Sequence, residues 1–168
     1  SPGEDLDQYP RDFERDVKLC RELGVDCIYA PEVEEMYPPG FKTRVEVYHL
    51  TQNLCGLYRT GHFSGVALVV TKLFCAIRPH LAVFGEKDFQ QLMVIKRLSK
   101  DLNLGVEIVA HPTVREPDGL AMSSRNKYLS EEERNSALSL SRSLLAARTM
   151  VAEGERRVGV LLARAKEV

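Results

Sequence analysis

Leu81-Ala82-Val83-Phe84-Gly85-Glu86-Lys87-Asp88-Phe89-Gln90-Gln91 runs an apolar tetrad into a polar turn. The tetrad is too short for a helix and reads as a buried strand. Beyond the turn, Leu92, Ile95, Leu98 and Leu102 recur at helical spacing, and Val106 to Ala110 is a second apolar run of strand length. Strand, helix and strand with short joints predict two parallel strands of an α/β sheet.

Working outward, Phe63 to Ile77 is apolar over too many residues for a strand and reads as a core helix ended by Arg78-Pro79. Upstream, Phe13, Val17, Cys20 and Leu23 form a helical stripe, with Pro10 in the first turn and Gly24 at its end. Val25 to Ala30 reads as a short buried strand stopped by Pro31. Arg44 to Leu50 alternates Val45, Val47 and His49 with polar neighbours, the pattern of a half-buried edge strand. Downstream, Ser130 and Glu133 spell a capping box ahead of a helix to about Glu153, and Arg156 to Val168 is helical again. The expected organisation is an α/β domain over 1–129 and a helical segment over 130–168.

Composition narrows the function. The 168 residues carry 23 Lys+Arg against 24 Asp+Glu, a net charge of −1, which argues against nucleic-acid and polybasic membrane binding. A 44% hydrophobic fraction excludes disorder. No run is long enough to span a membrane, and SPGEDLDQYP is too acidic for a signal peptide. Cys20, Cys27, Cys55 and Cys75 contain no C-x-x-C, so reduced, buried thiols are expected. The four histidines share no helical turn, and no metal site is expected from side chains. P-loop, dinucleotide-binding and G-x-S-x-G patterns are absent.

Ligands of an open α/β sheet gather at the carboxyl ends of its strands. Gly85 lets a ligand approach the backbone, the following helix offers free N–H groups to an anion, Lys87 adds a positive charge, and Asp88 can accept from ribose hydroxyls. Gln91 leans back toward the same end. The same letters also fit a D-x-x-Q capping box that would occupy Asp88 and Gln91, with Glu86 and Lys87 in a solvated turn. A second polar stretch, Asp118-Gly119-Leu120-Ala121-Met122-Ser123-Ser124-Arg125-Asn126, offers hydroxyls and a guanidinium to phosphate oxygens, or is an Asp-Gly turn and a loop. His62 precedes the apolar helix and faces the same cleft or serves as a structural hydrogen-bonder.

Together these segments resemble the pantothenate synthetase (pantoate–β-alanine ligase) family. The resemblance rests on Glu4-Asp5-Leu6-Asp7, Tyr9-Pro10-Arg11, Glu35-Met36-Tyr37-Pro38 and Gly61-His62-Phe63-Ser64-Gly65-Val66. It continues in Phe84 to Asp88 with Gln90-Gln91-Leu92, in Pro112-Thr113-Val114-Arg115-Glu116, and in Asp118 to Asn126 with Tyr128-Leu129. It implies a Rossmann-like parallel sheet of the class I nucleotidyltransferase (HIGH/KMSKS) type, here truncated, with helices at the C-terminus. It implies that pantoate, β-alanine and ATP-Mg²⁺ react through pantoyl adenylate in a cytoplasmic homodimer, releasing AMP and pyrophosphate.

Carried over by motif, Gly85, Glu86, Lys87 and Asp88 bind ATP, with Lys87 on the phosphates and Asp88 on the ribose. Gln91 holds pantoate, and Val114 meets adenine through its backbone. Met122, Ser123, Ser124 and Arg125 correspond to the K-M-S-K-S loop, with Lys87, Ser123, Ser124 and Arg125 as the catalytic charge-stabilising set. The family's H-x-G-H and N-P-x-Q-F segments do not occur in this sequence. Ser1 and Val168 therefore read as cuts, and a non-catalytic α/β module or a relative adenylating another acid are the alternatives. Thr60 and Cys55 stand where the family often has Pro and Glu.

Overall fold

A computed structural model of the chain describes residues 11–168. Pro10, Glu4 to Asp7 and Tyr9 lie outside the described residues. The chain divides into two compact units, one ending at Pro112 and the other running from Thr113 to Val168.

In the first unit, β1 (Leu81–Gly85) and β2 (Glu107–His111) pair in parallel, with Leu81 opposite Glu107 and Gly85 opposite His111. The crossover is α5 (Phe89–Asp101), entered through a 3₁₀ turn at Glu86–Asp88. A parallel pair needs such a connection because the second strand must start at the same end as the first. α5 buries Leu92, Val94, Ile95 and Leu98. It ends where Asn103 takes φ +50 and Leu104 N donates to Ser99 O, a left-handed cap. Ser99 Oγ donates to Val106 O at 3.0 Å, fastening the helix to the approach to β2.

The core is completed by α4 (His62–Ile77), whose Ala67, Val70 and Phe74 meet Ile95, Leu98 and Val106. Ala82 and Phe84 pack on this cluster from β1, with Phe84 edge-on to Phe74. Leu81 and Val83 alternate to the exposed face. Arg78 ends α4 in the left-handed region at φ +52, followed by Pro79.

Upstream, α1 (Phe13–Glu22) is capped by Asp12, which accepts from Arg15 N, and closes at Gly24, φ +75, with Val25 N bonded to Cys20 O. Two short helices follow, α2 (Val33–Met36) and α3 (Cys55–Tyr58).

Three expectations are corrected. Residues 25–30 form no strand, and Val25, Ile28 and Tyr29 are exposed. A strand exists only through a partner ladder, and none reaches this run among the described residues. Residues 44–50 also form no ladder, although Val45 and Val47 do turn inward onto the core. The cysteines are free, but Cys27, Cys55 and Cys75 are exposed and Cys20 is half-buried. Cys27 lies in the unpaired run, Cys55 opens the short α3, which buries no residue, and Cys75 follows Phe74 off the buried stripe of α4.

In the second unit, α6 (Glu131–Ala152) begins with the Ser130/Glu133 capping box. Ser130 N donates to Glu133 Oε2 at 2.8 Å, and Glu133 N donates to Ser130 Oγ at 3.2 Å. The bond from Ser130 N holds the Glu133 carboxyl below its usual range. Gly154, φ +104, turns the chain into α7 (Val158–Glu167), which packs back on α6. Among the described residues, no helix is long and apolar enough to cross a membrane.

Candidate functional site

The expected site residues fall on both units, and each group has its own scaffold. In the first unit, Gly85 ends β1 and the 3₁₀ turn places Glu86, Lys87 and Asp88 immediately before α5. α5 is thirteen residues long, so its first N–H groups lack intrahelical partners and carry the positive end of the helix dipole. Asp88 occupies the N-cap position, yet its side chain makes no capping bond. The capping-box pattern is therefore unused. Gln91 is half-buried in the first turn, and its side-chain amide has no hydrogen-bond partner among the described residues.

Lys87 Nζ lies 3.8 Å from Asp88 Oδ2, with both side chains largely in solvent. Such a pair is weak and leaves the ammonium open to a stronger anion. Gly85 has extended backbone, φ −74, and a Cβ there would meet nothing within 4 Å. The fold itself does not require glycine at this position. A concavity of about 210 Å³ in this unit is lined by Glu46, Thr51, Arg59 and Ser64 rather than by Lys87 or Gln91.

His62 is the first residue of α4 and is half-buried. Arg59 Nη1 lies 2.9 Å from His62 Nε2, and the imidazole ring tilts against Phe63. Arginine only donates, so Nε2 is the acceptor in this bond.

In the second unit, residues 114–122 form a tight hairpin. Met122 N donates to Val114 O at 2.9 Å, Glu116 N donates to Leu120 O at 2.8 Å, and Arg115 bridges Ala121 in antiparallel fashion. The turn suits its residues: Gly119 takes φ +97, and Leu120 N donates to the Asp118 carboxylate. Val114 and Met122, separated by seven residues in sequence, are thus joined directly. Ser123 leads the 3₁₀ turn Ser124–Tyr128, and its hydroxyl accepts from Arg125 N. Two hydroxyls and the Arg125 guanidinium are thereby presented from three consecutive residues.

This hairpin is held by residues to which the sequence assigned no role. Arg134, in the first turn of α6, donates to Glu116 at 2.6 Å and to Asp118 at 2.6 and 2.9 Å. Asn126 donates to Glu116 Oε1 and to Ala121 O. The Asn126 and Arg134 bonds hold the Glu116 carboxyl below its usual range. The Leu120 N–H, then Arg134, do the same for Asp118. Glu116 and Asn126 stand in the motifs quoted above, but the partnership with Arg134 spans 16–18 residues and no local signal announces it.

The family profile described as Pantoate-beta-alanine ligase matches residues 1–167. A pantothenate synthetase of Syntrophobacter fumaroxidans is 59% identical over 167 residues, covering 99% of this chain and 59% of that protein. Another, from Thermotoga petrophila, is 59% identical over 155 residues, covering 92% and 55%. The chain thus spans rather more than half the length of these relatives. Among solved structures, pantothenate synthetase from Thermus thermophilus superposes with a TM-score of 0.96 at 54% identity, covering 99% of this chain and 60% of that one. Pantoate-beta-alanine ligase from Francisella tularensis, complexed with beta-gamma ATP and beta-alanine, gives 0.77 at 37% identity, covering 82% and 53%. These matches establish the nucleotidyltransferase-like α/β fold, and the chain belongs to the pantoate-beta-alanine ligase family.

Proposed function

We propose that the protein joins pantoate and β-alanine to give pantothenate at the expense of ATP. A pantoate carboxylate oxygen attacks the α-phosphorus, forming pantoyl adenylate and releasing pyrophosphate. The β-alanine amine then attacks the acyl carbon, loses a proton, and AMP departs with the bridging oxygen. The observation that carries this reading is the family match over residues 1–167, a range that includes Gly85 to Gln91 and Met122 to Arg125.

Adenylyl transfer needs in-line placement and cancellation of growing negative charge rather than a protein nucleophile. Lys87 and the N-terminus of α5 supply positive charge for the phosphates. Gly85 and Glu86 line the approach, and Asp88 accepts from the ribose. Gln91, whose amide is uncommitted, holds pantoate. Val114 meets adenine through its backbone. Met122, Ser123, Ser124 and Arg125 bear on the triphosphate as pyrophosphate leaves. Mg²⁺ arrives with ATP as part of the substrate, and a cytoplasmic homodimer belongs to the same reading.

The test is pantoate-dependent exchange of labelled pyrophosphate into ATP by the gene product. Exchange that ignores pantoate but follows another acid would reassign the substrate. No acid-dependent exchange would overturn the activity. A second reading, that the 168-residue chain by itself is non-catalytic, is favoured by the absence of H-x-G-H from its sequence. Turnover by that chain alone overturns it.

A further inference from the structure

Gln90 differs sharply from its neighbour Gln91. Its side-chain amide donates to Leu50 O at 2.8 Å and to Asn53 O at 2.7 Å, and its Oε1 accepts from Cys55 N at 3.0 Å. All three partners are backbone groups 35–40 residues earlier in the chain. The bonds to Asn53 and Cys55 bracket Leu54, which is held at φ +51 and ψ −126, a strained region for a side-chain-bearing residue. The turn is also sterically closed: a Cβ on Gly56 would collide with the Thr51 carbonyl oxygen.

Residues 86–91 carry no fully buried side chain, since the anchoring of α5 begins at Leu92. Among the described residues, the Gln90 bonds are the long-range hydrogen bonds that fasten this segment to the rest of the unit. The same segment bears Lys87, Asp88 and Gln91. Consecutive helical residues point about 100° apart, so fixing Gln90 against the 50–55 turn fixes the direction of Gln91.

We infer that Gln90 is a positioning residue: it clamps the strained 50–55 turn to the first turn of α5 and so sets the orientation of Gln91 toward pantoate. This rests on the activity proposed above. Misplacing a substrate-binding group by about 1 Å costs on the order of 10²-fold, so a loosened first turn is expected to cost at least ~10-fold.

The test is Gln90→Met in the gene product, which keeps the volume and removes all three bonds. The expected result is faster hydrogen exchange at the Cys55 amide, a raised pantoate KM, and a fall of about 10-fold or more in kcat/KM for pantoate, with the β-alanine KM unchanged. Faster exchange with wild-type pantoate kinetics would overturn the positioning role and leave a merely structural clamp. Unchanged exchange would overturn the clamp.

Should Gln90→Met not fold, Gln90→Glu retains the acceptor for Cys55 but loses both donated bonds. Its deficit relative to wild type should shrink as pH falls and the carboxyl regains a proton to donate. A deficit independent of pH would overturn the hydrogen-bonding role. A wild-type protein without pantoate-dependent exchange overturns the activity and the role together, whereas an active wild type with an unaffected variant overturns only the role.

Discussion

The Arg134 guanidinium reaches back 18 residues to donate to the Glu116 carboxylate at 2.6 Å. This tie, doubled by Asp118, joins the start of α6 to the hairpin that leads into Ser123, Ser124 and Arg125. Replacing Arg134 by Met should free the hairpin without removing any proposed substrate contact. The expected result is a melting temperature lower by about 2–4 °C and a several-fold slower pyrophosphate exchange. Calorimetry and the exchange assay check this, and a variant identical to wild type in both would refute the bracing role.

Acid should weaken the second unit. Glu116, Asp118 and Glu155 all have folded carboxyls below their ordinary range, the last held down to about 2 chiefly by Arg157. A depressed carboxyl binds its proton more readily in the unfolded chain. Its contribution is therefore fully present above about pH 4–5 and fades as pH falls through the folded value. Urea midpoints at pH 6 and pH 3 should show this loss, and the loss should be smaller in Arg134→Met, where two carboxyls return toward ordinary behaviour. An equal acid loss in both proteins would count against the assignment.

Two glycines should part company on substitution. Gly56→Ala forces a methyl into the Thr51 carbonyl and should cost about 1–3 kcal/mol, as overpacking does. Gly85→Ala meets nothing and keeps an allowed φ, so folding stability should move by less than about 0.5 kcal/mol. If ATP passes close to Gly85, the ATP KM rises in that variant all the same. A stable Gly85→Ala protein with unaltered ATP kinetics would remove Gly85 from the binding surface.

Lys87 offers the direct test of charge stabilisation. Its partner Asp88 is 3.8 Å away and both are solvated, so Lys87→Ala should leave stability nearly unchanged. Pantoate-dependent exchange should nevertheless fall by at least about 10²-fold, the loss typical of a single electrostatic group. An unchanged rate would sink the role given to Lys87.

Core packing can be tested at Phe74, which lies between α5 and β1 with its ring 6.4 Å from that of Phe84. Phe74→Ala should destabilise the first unit by about 3–5 kcal/mol, measured by urea unfolding. A loss of only a few tenths would mean that the cluster around Ile95 and Leu98 does not depend on it.

The sequence by itself determined what is local. The helix over 63–77, the Gly24 and Arg78-Pro79 stops, the Ser130/Glu133 box and the strand–helix–strand run from Leu81 to Ala110 are written in neighbouring residues, and each stands in the structure, the helix starting one residue earlier at His62. The family resemblance was legible for the same reason, because its motifs are contiguous. Tertiary structure alone decided the rest. Residues 25–30 have strand letters but no ladder, since a strand depends on a partner elsewhere in the chain. Asp88 and Gln91 have capping letters but make no cap. Gln90, indistinguishable in type from Gln91, is committed to backbone groups of the 50–55 turn. Arg134 became a brace only when folding brought Glu116 and Asp118 within 2.6 Å. A pattern records which bonds a side chain is able to make. Which of them it does make depends on groups that only the folded chain brings within reach.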